Sequence, residues 1–302
     1  MNKLLLVDGS ALLHRAYHAY PPFKTKTGEI VGAVYGVASI LISALEQEKP
    51  THVMVAWDLP KPTFRHIKYV GYKAQRPKAD SEMVEQIPMV KEVIETMGVV
   101  QLAREEYEAD DIIGTLSKLS SSDNEVVILT GDQDTMQLVN DNVRILTPAK
   151  GANPPVLYGP EQVLAKYGVR PDQIVDYKAM IGDSSDNIPG VAGIGPKSAA
   201  TLLNQFETLE KIYDNLTSIS NEKLREKLVM GKDSAFLSQD LSRIVVDMKI
   251  DLDMKEMEYR DFATGSVREK FESLGFKSLV KRIFPDAELQ KKKKNENQIG
   301  LF

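Results

Sequence analysis

The chain has 302 residues, 42% hydrophobic and 27% charged, with a formal net charge of −5 and no cysteine. This is core enough for one large domain or two modest ones, and the lack of cysteine excludes disulfides and thiolate metal sites and fits a reducing compartment. No apolar stretch is long enough to span a bilayer, and Leu4 to Val7 is too short for a signal-peptide core, so a cytoplasmic protein is expected.

Residues 3–8 (KLLLVD), 53–58 (VMVAWD) and 125–132 (EVVILTGD) read as buried strands, with 143–147 (VRILT) as a fourth. Their continuous apolar character suits a parallel sheet covered on both faces. Helical periodicity fills the gaps at 31–46 and 109–119, and this alternation predicts a doubly wound α/β sheet with its site at the carboxyl ends of the strands. Between them, 61–98 opens as a basic stretch and continues at helical spacing with Pro88 inside, which predicts a kinked or broken helix that could arch over the sheet. After about residue 160 the strands stop. Helices are expected after Pro160 and Pro171, then at 197–206, 222–230, 233–246 and 266–284. The predicted domains are therefore 1–165, an α/β unit, and 166–286, a small all-helical unit, with 287–302 a polar, lysine-rich tail expected to be disordered.

Nine carboxylates stand at strand ends or helix starts: Asp8, Asp58, Glu108, Asp110, Asp111, Asp132, Asp134, Asp183 and Asp186. A single Asp at a strand end is commonly a turn residue or an N-cap. Three acids crowding one first turn, as in Glu108-Ala-Asp110-Asp111, exceed what capping needs, and the pairs 132/134 and 183/186 repeat the theme. So many negative charges in one cleft cannot all stay ionised without a cation between them. Hard divalent ions, with phosphodiester hydrolysis as their chemistry, answer that need, some of the nine acting from behind the direct ligands.

The overall charge hides a split: discounting those nine acids reverses its sign, and Lys61 to Lys78 holds six cations and no acid. Phe64, Tyr69 and Tyr72 interleave with them, as stacking plus charge would require for unpaired nucleotides, and Lys73 and Arg76 are placed to steady charge on a phosphate. For Lys61 or Lys78 alone a solvated surface is the better reading. The glycine-rich Gly190 to Leu203 is neither a phosphate-binding Walker loop nor a dinucleotide fingerprint, since Pro196 parts Gly195 from Lys197 and no strand precedes it. It reads as a tight hairpin through Gly193 and Gly195 opening a helix, with Lys197 and Ser198 beside free N–H groups that grip a phosphate without reading sequence.

In order, LLLVDGSALLHRAYHA, WDLPKPTFRH, GYKAQR, YEADDIIGTL, TGDQDTMQL, GDSSDNIPGVAGIGPKSA and LSQDLSRIVVD resemble the blocks of the 5′→3′ exonuclease domain of bacterial DNA polymerase I, within the flap endonuclease family. The resemblance runs to about residue 285. It implies a PIN-like nuclease domain with a helical arch, followed by a helical domain whose glycine hairpin is a helix-three-turn-helix DNA clamp, often holding K⁺. It implies a two-ion Mg²⁺ site, with Mn²⁺ a possible substitute: Asp8, Asp58, Glu108, Asp110 and Asp111 around one ion, and Asp132, Asp134, Asp183 and Asp186 around or behind the other. Tyr72, Lys73 and Arg76 would belong to the arch, the two cations near the scissile phosphate, with Arg15 and Arg65 near the substrate.

Two features depart from the pattern. Trp57 stands where the family more often has Phe, and no polymerase domain follows, so a stand-alone enzyme is expected. The last residues, Gln298 to Phe302 (QIGLF), resemble a bacterial sliding-clamp-binding peptide, with Gln298, Leu301 and Phe302 as anchors. The function expected is a monomeric, nucleoid-associated nuclease cutting DNA 5′ flaps and 5′ ends, as in RNA-primer removal and repair. The rivals are a PIN-type single-strand ribonuclease, against which the helical clamp argues, and a non-catalytic module binding junctions and the clamp, against which the full set of acids argues.

Overall fold

Runs of consecutive apolar residues make the centre of the fold. In a computed structural model, which describes residues 2–149, 151 and 153–285, the elements in chain order are β1 (Asn2–Asp8), α1 (Gly9–Ala19), α2 (Gly32–Glu48), β2 (His52–Trp57), α3 (Phe64–Lys68), α4 (Ser81–Thr96), β3 (Val100–Ala103), α5 (Ala109–Ser120), β4 (Asn124–Leu129), β5 (Val143–Thr147), β6 (Val156–Tyr158), α6 (Pro160–Tyr167), α7 (Ile174–Ile181), α8 (Pro196–Phe206), α9 (Leu209–Asp214), α10 (Glu222–Met230), α11 (Lys232–Ser242), α12 (Gly265–Ser273) and α13 (Lys277–Ile283). The sheet order is β3-β2-β1-β4-β5-β6. β1 pairs with β4 in parallel, Leu4 opposite Val126 and Leu6 opposite Ile128. β4 pairs in parallel with β5, and only the short β6 joins antiparallel, at the edge. Leu4 to Val7 and Val126 to Leu129 are all buried, as strands covered on both faces must be.

The connections run outward from β1 on one side and from β4 on the other, so the order reverses between these two neighbours. In an open α/β sheet that switch point leaves a crevice beyond the carboxyl ends of the strands. Asp8 closes β1, and Thr130 to Asp134 follow β4.

The chain divides into two compact units that do not follow sequence order. One holds the residues up to Ser10, Ala56–Lys78 and Leu102–Asp251; the other holds Ala11–Val55, Ala79–Gln101 and the chain from Leu252 on. All nine acids belong to the first unit. That partition differs from the division at 165/166 expected from sequence, which we retain as a proposal about domain organisation.

Several elements differ from the sequence expectation. The segment with Pro88 is one helix, α4, and not a broken one, losing a single backbone bond there while Met83, Val90, Val93 and Ile94 bury its apolar face and Gln86 Oε1 accepts the Ala33 N–H at 2.9 Å. The helix expected over 266–284 is two, α12 and α13, because Gly275 turns the chain at φ 77°. The helix expected to reach 246 stops at Ser242, and the backbone beyond it turns to other partners: Val245 N–H donates to Asp111 on α5 and Ile244 N–H to Gln137 after β4. β3 and β6, of four and three residues, are too short to stand out in sequence. No described helix is long and apolar enough to cross a membrane. Gln298, Leu301 and Phe302 lie outside the described residues, as does the tail expected at 287–302.

Candidate metal centre and nucleic-acid interface

The acids fall into two groups by what they hold. The first lies at the switch point. Thr130, fully buried, donates its hydroxyl to Asp8 Oδ2 at 2.8 Å and accepts the Asp132 N–H at 3.0 Å, tying the ends of β1 and β4 together. Asp132 Oδ1 in turn accepts the Asp134 N–H at 2.9 Å. Asp58, just past β2, accepts the Ala109 N–H at 2.8 Å, while its own N–H donates to Ser10 Oγ. Asp110 sits on the first turn of α5, and its Oδ1 is buried with no hydrogen-bond partner. Burial, and after it the charges of Asp132, Asp8, Asp58 and Asp134, push the Asp110 carboxyl well above the usual carboxylate range.

The second group holds the chain's own cations. Asp111 is saturated: its oxygens accept from both Arg65 terminal nitrogens at 2.8 Å, from Glu108 N–H at 3.0 Å and from Val245 N–H at 2.9 Å. Those four bonds use the four lone-pair positions of a carboxylate, so Asp111, expected beside a metal, is a structural acid. Arg65, expected near the substrate, is buried at 2% exposure and also donates to Leu241 and Arg243 carbonyls. Burial alone would loosen its proton, and Asp111 more than reverses that.

Tyr72 is likewise corrected. It is 3% exposed, packs with Ile188 and Leu241, and donates its hydroxyl to Glu108 at 3.1 Å, so its ring is not offered to a nucleotide. Lys73 stands beside it in the left-handed region at φ 53°, a conformation that non-glycine residues adopt at a cost. Its N–H donates to the Asp186 carbonyl at 2.9 Å and its Nζ to Glu108 Oε1 at 2.9 Å. Arg76 pairs with Asp186 and stays half-exposed. Both cations keep their protons more firmly than usual; burial opposes this, but Glu108 and Asp186 win at Lys73, as Asp186 does at Arg76. Elsewhere in the basic stretch Lys61 pairs with Glu105 and Lys68 with Asp240 at the surface, pairs worth little energetically.

Sequence reasoning missed Lys178, on α7. Its buried ammonium reaches Asp134 Oδ1 and, at 2.8 Å, Asp183 Oδ2, while Asp183 Oδ1 accepts from Ser185. Lys178 and Ser185 hold Asp183 down to about 2 despite its burial. Asp134 goes the other way, because burial and Asp132 outweigh Lys178 and push it up to about 7. Thr130 and Ser10 were also missed; both are small hydroxyl residues with no signature of their own.

Among the described residues no three or more His, Asp or Glu side chains form a ready metal cage. Five of the nine acids hold lysine or arginine instead. The four others, Asp8, Asp58, Asp110 and Asp132, include a buried carboxylate oxygen without a donor amid like charges. That is the condition a hard cation relieves, so these residues fit a divalent ion.

The glycine hairpin is built from close backbone approaches. Gly190 has φ +63°, and a Cβ there would lie 2.3 Å from Gly182 N. Gly195 caps α8, whose first turn carries exposed Lys197 and half-buried Ser198. Gly193 is exposed, and its carbonyl accepts from Lys227 Nζ at 2.9 Å. Arg15 belongs to the other compact unit.

Residues 3–168 match a family described as 5′-3′ exonuclease, N-terminal resolvase-like domain, and residues 169–265 match 5′-3′ exonuclease, C-terminal SAM fold. The chain belongs to the 5′-3′ exonuclease family. Membership makes it a nuclease, with a resolvase-like N-terminal domain and a C-terminal SAM fold. It is 43% identical over 287 residues to DNA polymerase I of Bacillus subtilis (strain 168), covering 95% of this chain and 33% of that protein. With DNA polymerase I of Caldicellulosiruptor bescii the identity is 40% over 284 residues, covering 93% and 33%. The chain thus spans about a third of the length of these relatives. Its fold is similar to that of the bacteriophage T5 D15 protein co-crystallized with metal ions (TM-score 0.66, 21% identity, covering 94% of this chain and 97% of that one). It also resembles the catalytic core of Rad2 in complex with DNA substrate (TM-score 0.63, 17% identity, covering 94% and 91%).

Proposed function

We propose that this 5′-3′ exonuclease-family chain is a structure-specific 5′ nuclease that hydrolyses DNA phosphodiesters at 5′ ends and at the base of 5′ flaps. The observation that carries the reading is Asp110, a buried carboxylate with a donorless oxygen surrounded by Asp8, Asp58, Asp132 and Asp134. Asp8, Asp58, Asp110 and Asp132 would hold Mg²⁺ (or Mn²⁺), with Asp134, Asp183, Asp186 and Glu108 completing a second position or standing behind it. Bound there, divalent ions supply an activated water and neutralise charge on the phosphate. The chain's own part is to hold and orient. Thr130 ties the carboxylate of Asp8 to the backbone of Asp132. Lys73 and Arg76, now on Glu108 and Asp186, would turn to the scissile phosphate and steady its added charge.

On the DNA side, the α8 amino end with Gly193, Gly195, Lys197 and Ser198 would grip a duplex phosphate, with K⁺ as a further ion at the hairpin. The unpaired 5′ strand would pass beside the basic stretch. Flap and primer removal and repair are the cellular tasks that suit such an enzyme, and a sliding clamp engaged through Gln298, Leu301 and Phe302 is the proposed partner of a monomer. The test offers a labelled 5′-flap duplex, a blunt duplex and a single-stranded RNA, each in Mg²⁺ and in excess chelator. Mg²⁺-dependent release of the flap near the junction supports the reading. Cleavage of the RNA alone, or binding without cleavage, overturns it.

A further inference from the structure

Lys178 faces the acid-lined crevice, and the function above does not use it. It lies on α7 among buried neighbours Val175, Tyr177, Ala179 and Met180, and its side chain is 12% exposed. Its ammonium bridges two acids far apart in sequence, Asp134 after β4 and Asp183 after α7. The bridge differs in kind from that of Arg65. The Arg65 fork and the backbone fill every position on Asp111, a closed arrangement with no room for another ligand. Lys178 instead puts a single charge, on a flexible stem, on one oxygen of each acid. Asp183 Oδ1 is taken by Ser185, so the oxygen that Lys178 holds is the one left to coordinate anything else. A hard dication arriving between Asp134 and Asp183 would need that Asp183 oxygen, and the ammonium beside it would be repelled.

We propose that Lys178 is the resident cation of the Asp134–Asp183 side of the crevice and competes with a divalent ion for those two carboxylates. This rests on the reading that the acid cluster takes divalent ions. The lysine keeps two partly buried acids satisfied when the crevice holds no second ion, and it makes that ion bind weakly, because each binding event must displace it. Removing the charge would leave the two acids to the ion alone.

The test titrates the full chain, without DNA, with Mn²⁺ followed by electron paramagnetic resonance, which counts bound ions independently of cleavage. The expected result is one tighter and one weaker class of site in the unmodified chain. In Lys178→Met the weaker class should tighten by at least about tenfold and the tighter class stay unchanged, as expected from losing one like charge a few ångströms away at an intermediate dielectric. Lys178→Arg keeps the charge and should keep the weak class. A weaker class that is unchanged or lost in Lys178→Met overturns the inference while leaving the metal centre standing. Absence of any bound Mn²⁺ in the unmodified chain removes the metal centre and the inference with it. If Lys178→Met does not fold, the unmodified chain carries the test through amine labelling mapped by mass spectrometry. Lys178 should be protected without divalent ion and become reactive as Mn²⁺ fills the weaker class; protection unchanged at saturation overturns the proposal.

Discussion

Arg65 grips Asp111 through two 2.8 Å hydrogen bonds, and both residues are almost wholly buried. Arg65 also caps the Leu241 and Arg243 carbonyls, and Asp111 takes the N–H groups of Glu108 and Val245. The pair thus joins α3, α5 and the segment after α11, and so sets where Glu108 and Asp110 stand.

Arg65→Met should therefore act on stability before chemistry. It leaves Asp111 buried without its partner, a loss of roughly 3–5 kcal/mol in unfolding free energy. Urea unfolding of the chelated protein measures it. Arg65→Lys should rescue little, since an ammonium cannot reproduce two parallel bonds and two carbonyl contacts. A variant as stable as the parent would contradict the structural role.

Thr130→Val keeps the shape of the residue and removes the hydroxyl between Asp8 and Asp132. We expect divalent-ion affinity to fall about 10- to 100-fold, as for other partners that orient metal ligands. Stability should drop only about 1–3 kcal/mol from the lost buried hydrogen bonds. Calorimetric ion titration beside thermal unfolding separates the two.

Lys73 combines a left-handed backbone with an ammonium on Glu108. Lys73→Ala should leave flap binding near normal and lower single-turnover cleavage by a factor on the order of 10²–10³, the scale for losing one charge-stabilising group. Lys73→Gly relieves the backbone without restoring the ammonium, so it should be equally slow. Recovery of rate in the glycine variant would show that the backbone, not the charge, matters.

Without divalent ions, stability should fall as pH rises from about 4 to about 7. Asp134 is pushed up to about 7 from its ordinary 3.8, and Asp110 is raised as well. The folded chain therefore binds more protons than the unfolded chain in that window, and raising pH favours unfolding. Asp183 works oppositely: held at about 2, it adds stability that is full above 3.8 and lost as pH falls toward 2. Added Mg²⁺ should raise the melting temperature more at about pH 8 than at about pH 5, since ion and proton compete. Equal Mg²⁺ gains at both would contradict the coupling.

The parts of the site legible in sequence were the ones written locally. An Asp ending an apolar strand, three acids on one first turn and glycines before a helix each show in a short window, so Asp8, Asp58, Asp110 and Asp132 stand out from the sequence as candidates. What stayed hidden depends on distant partners. Arg65 meets Asp111 across 46 residues, Lys178 meets Asp134 across 44, and Thr130 meets Asp8 across 122. From sequence a lysine on α7 looks like any helix-surface charge, and Arg65 and Tyr72 look like parts of an exposed basic stretch. Burial alone tells them apart, and burial is set by the tertiary packing of α7, α11 and the segment after it.

If the acid cluster around Asp110 is the catalytic metal centre, Asp110→Asn removes the charge on which cleavage depends. The measurement is single-turnover cleavage of a labelled 5′-flap duplex across a Mg²⁺ titration, with flap binding recorded in chelator. Asparagine keeps the size of the side chain and removes its charge, so flap binding should stay intact and cleavage should be lost at every Mg²⁺ concentration where the unmodified chain cuts. Cleavage by Asp110→Asn at the unmodified rate and Mg²⁺ dependence would contradict that assignment.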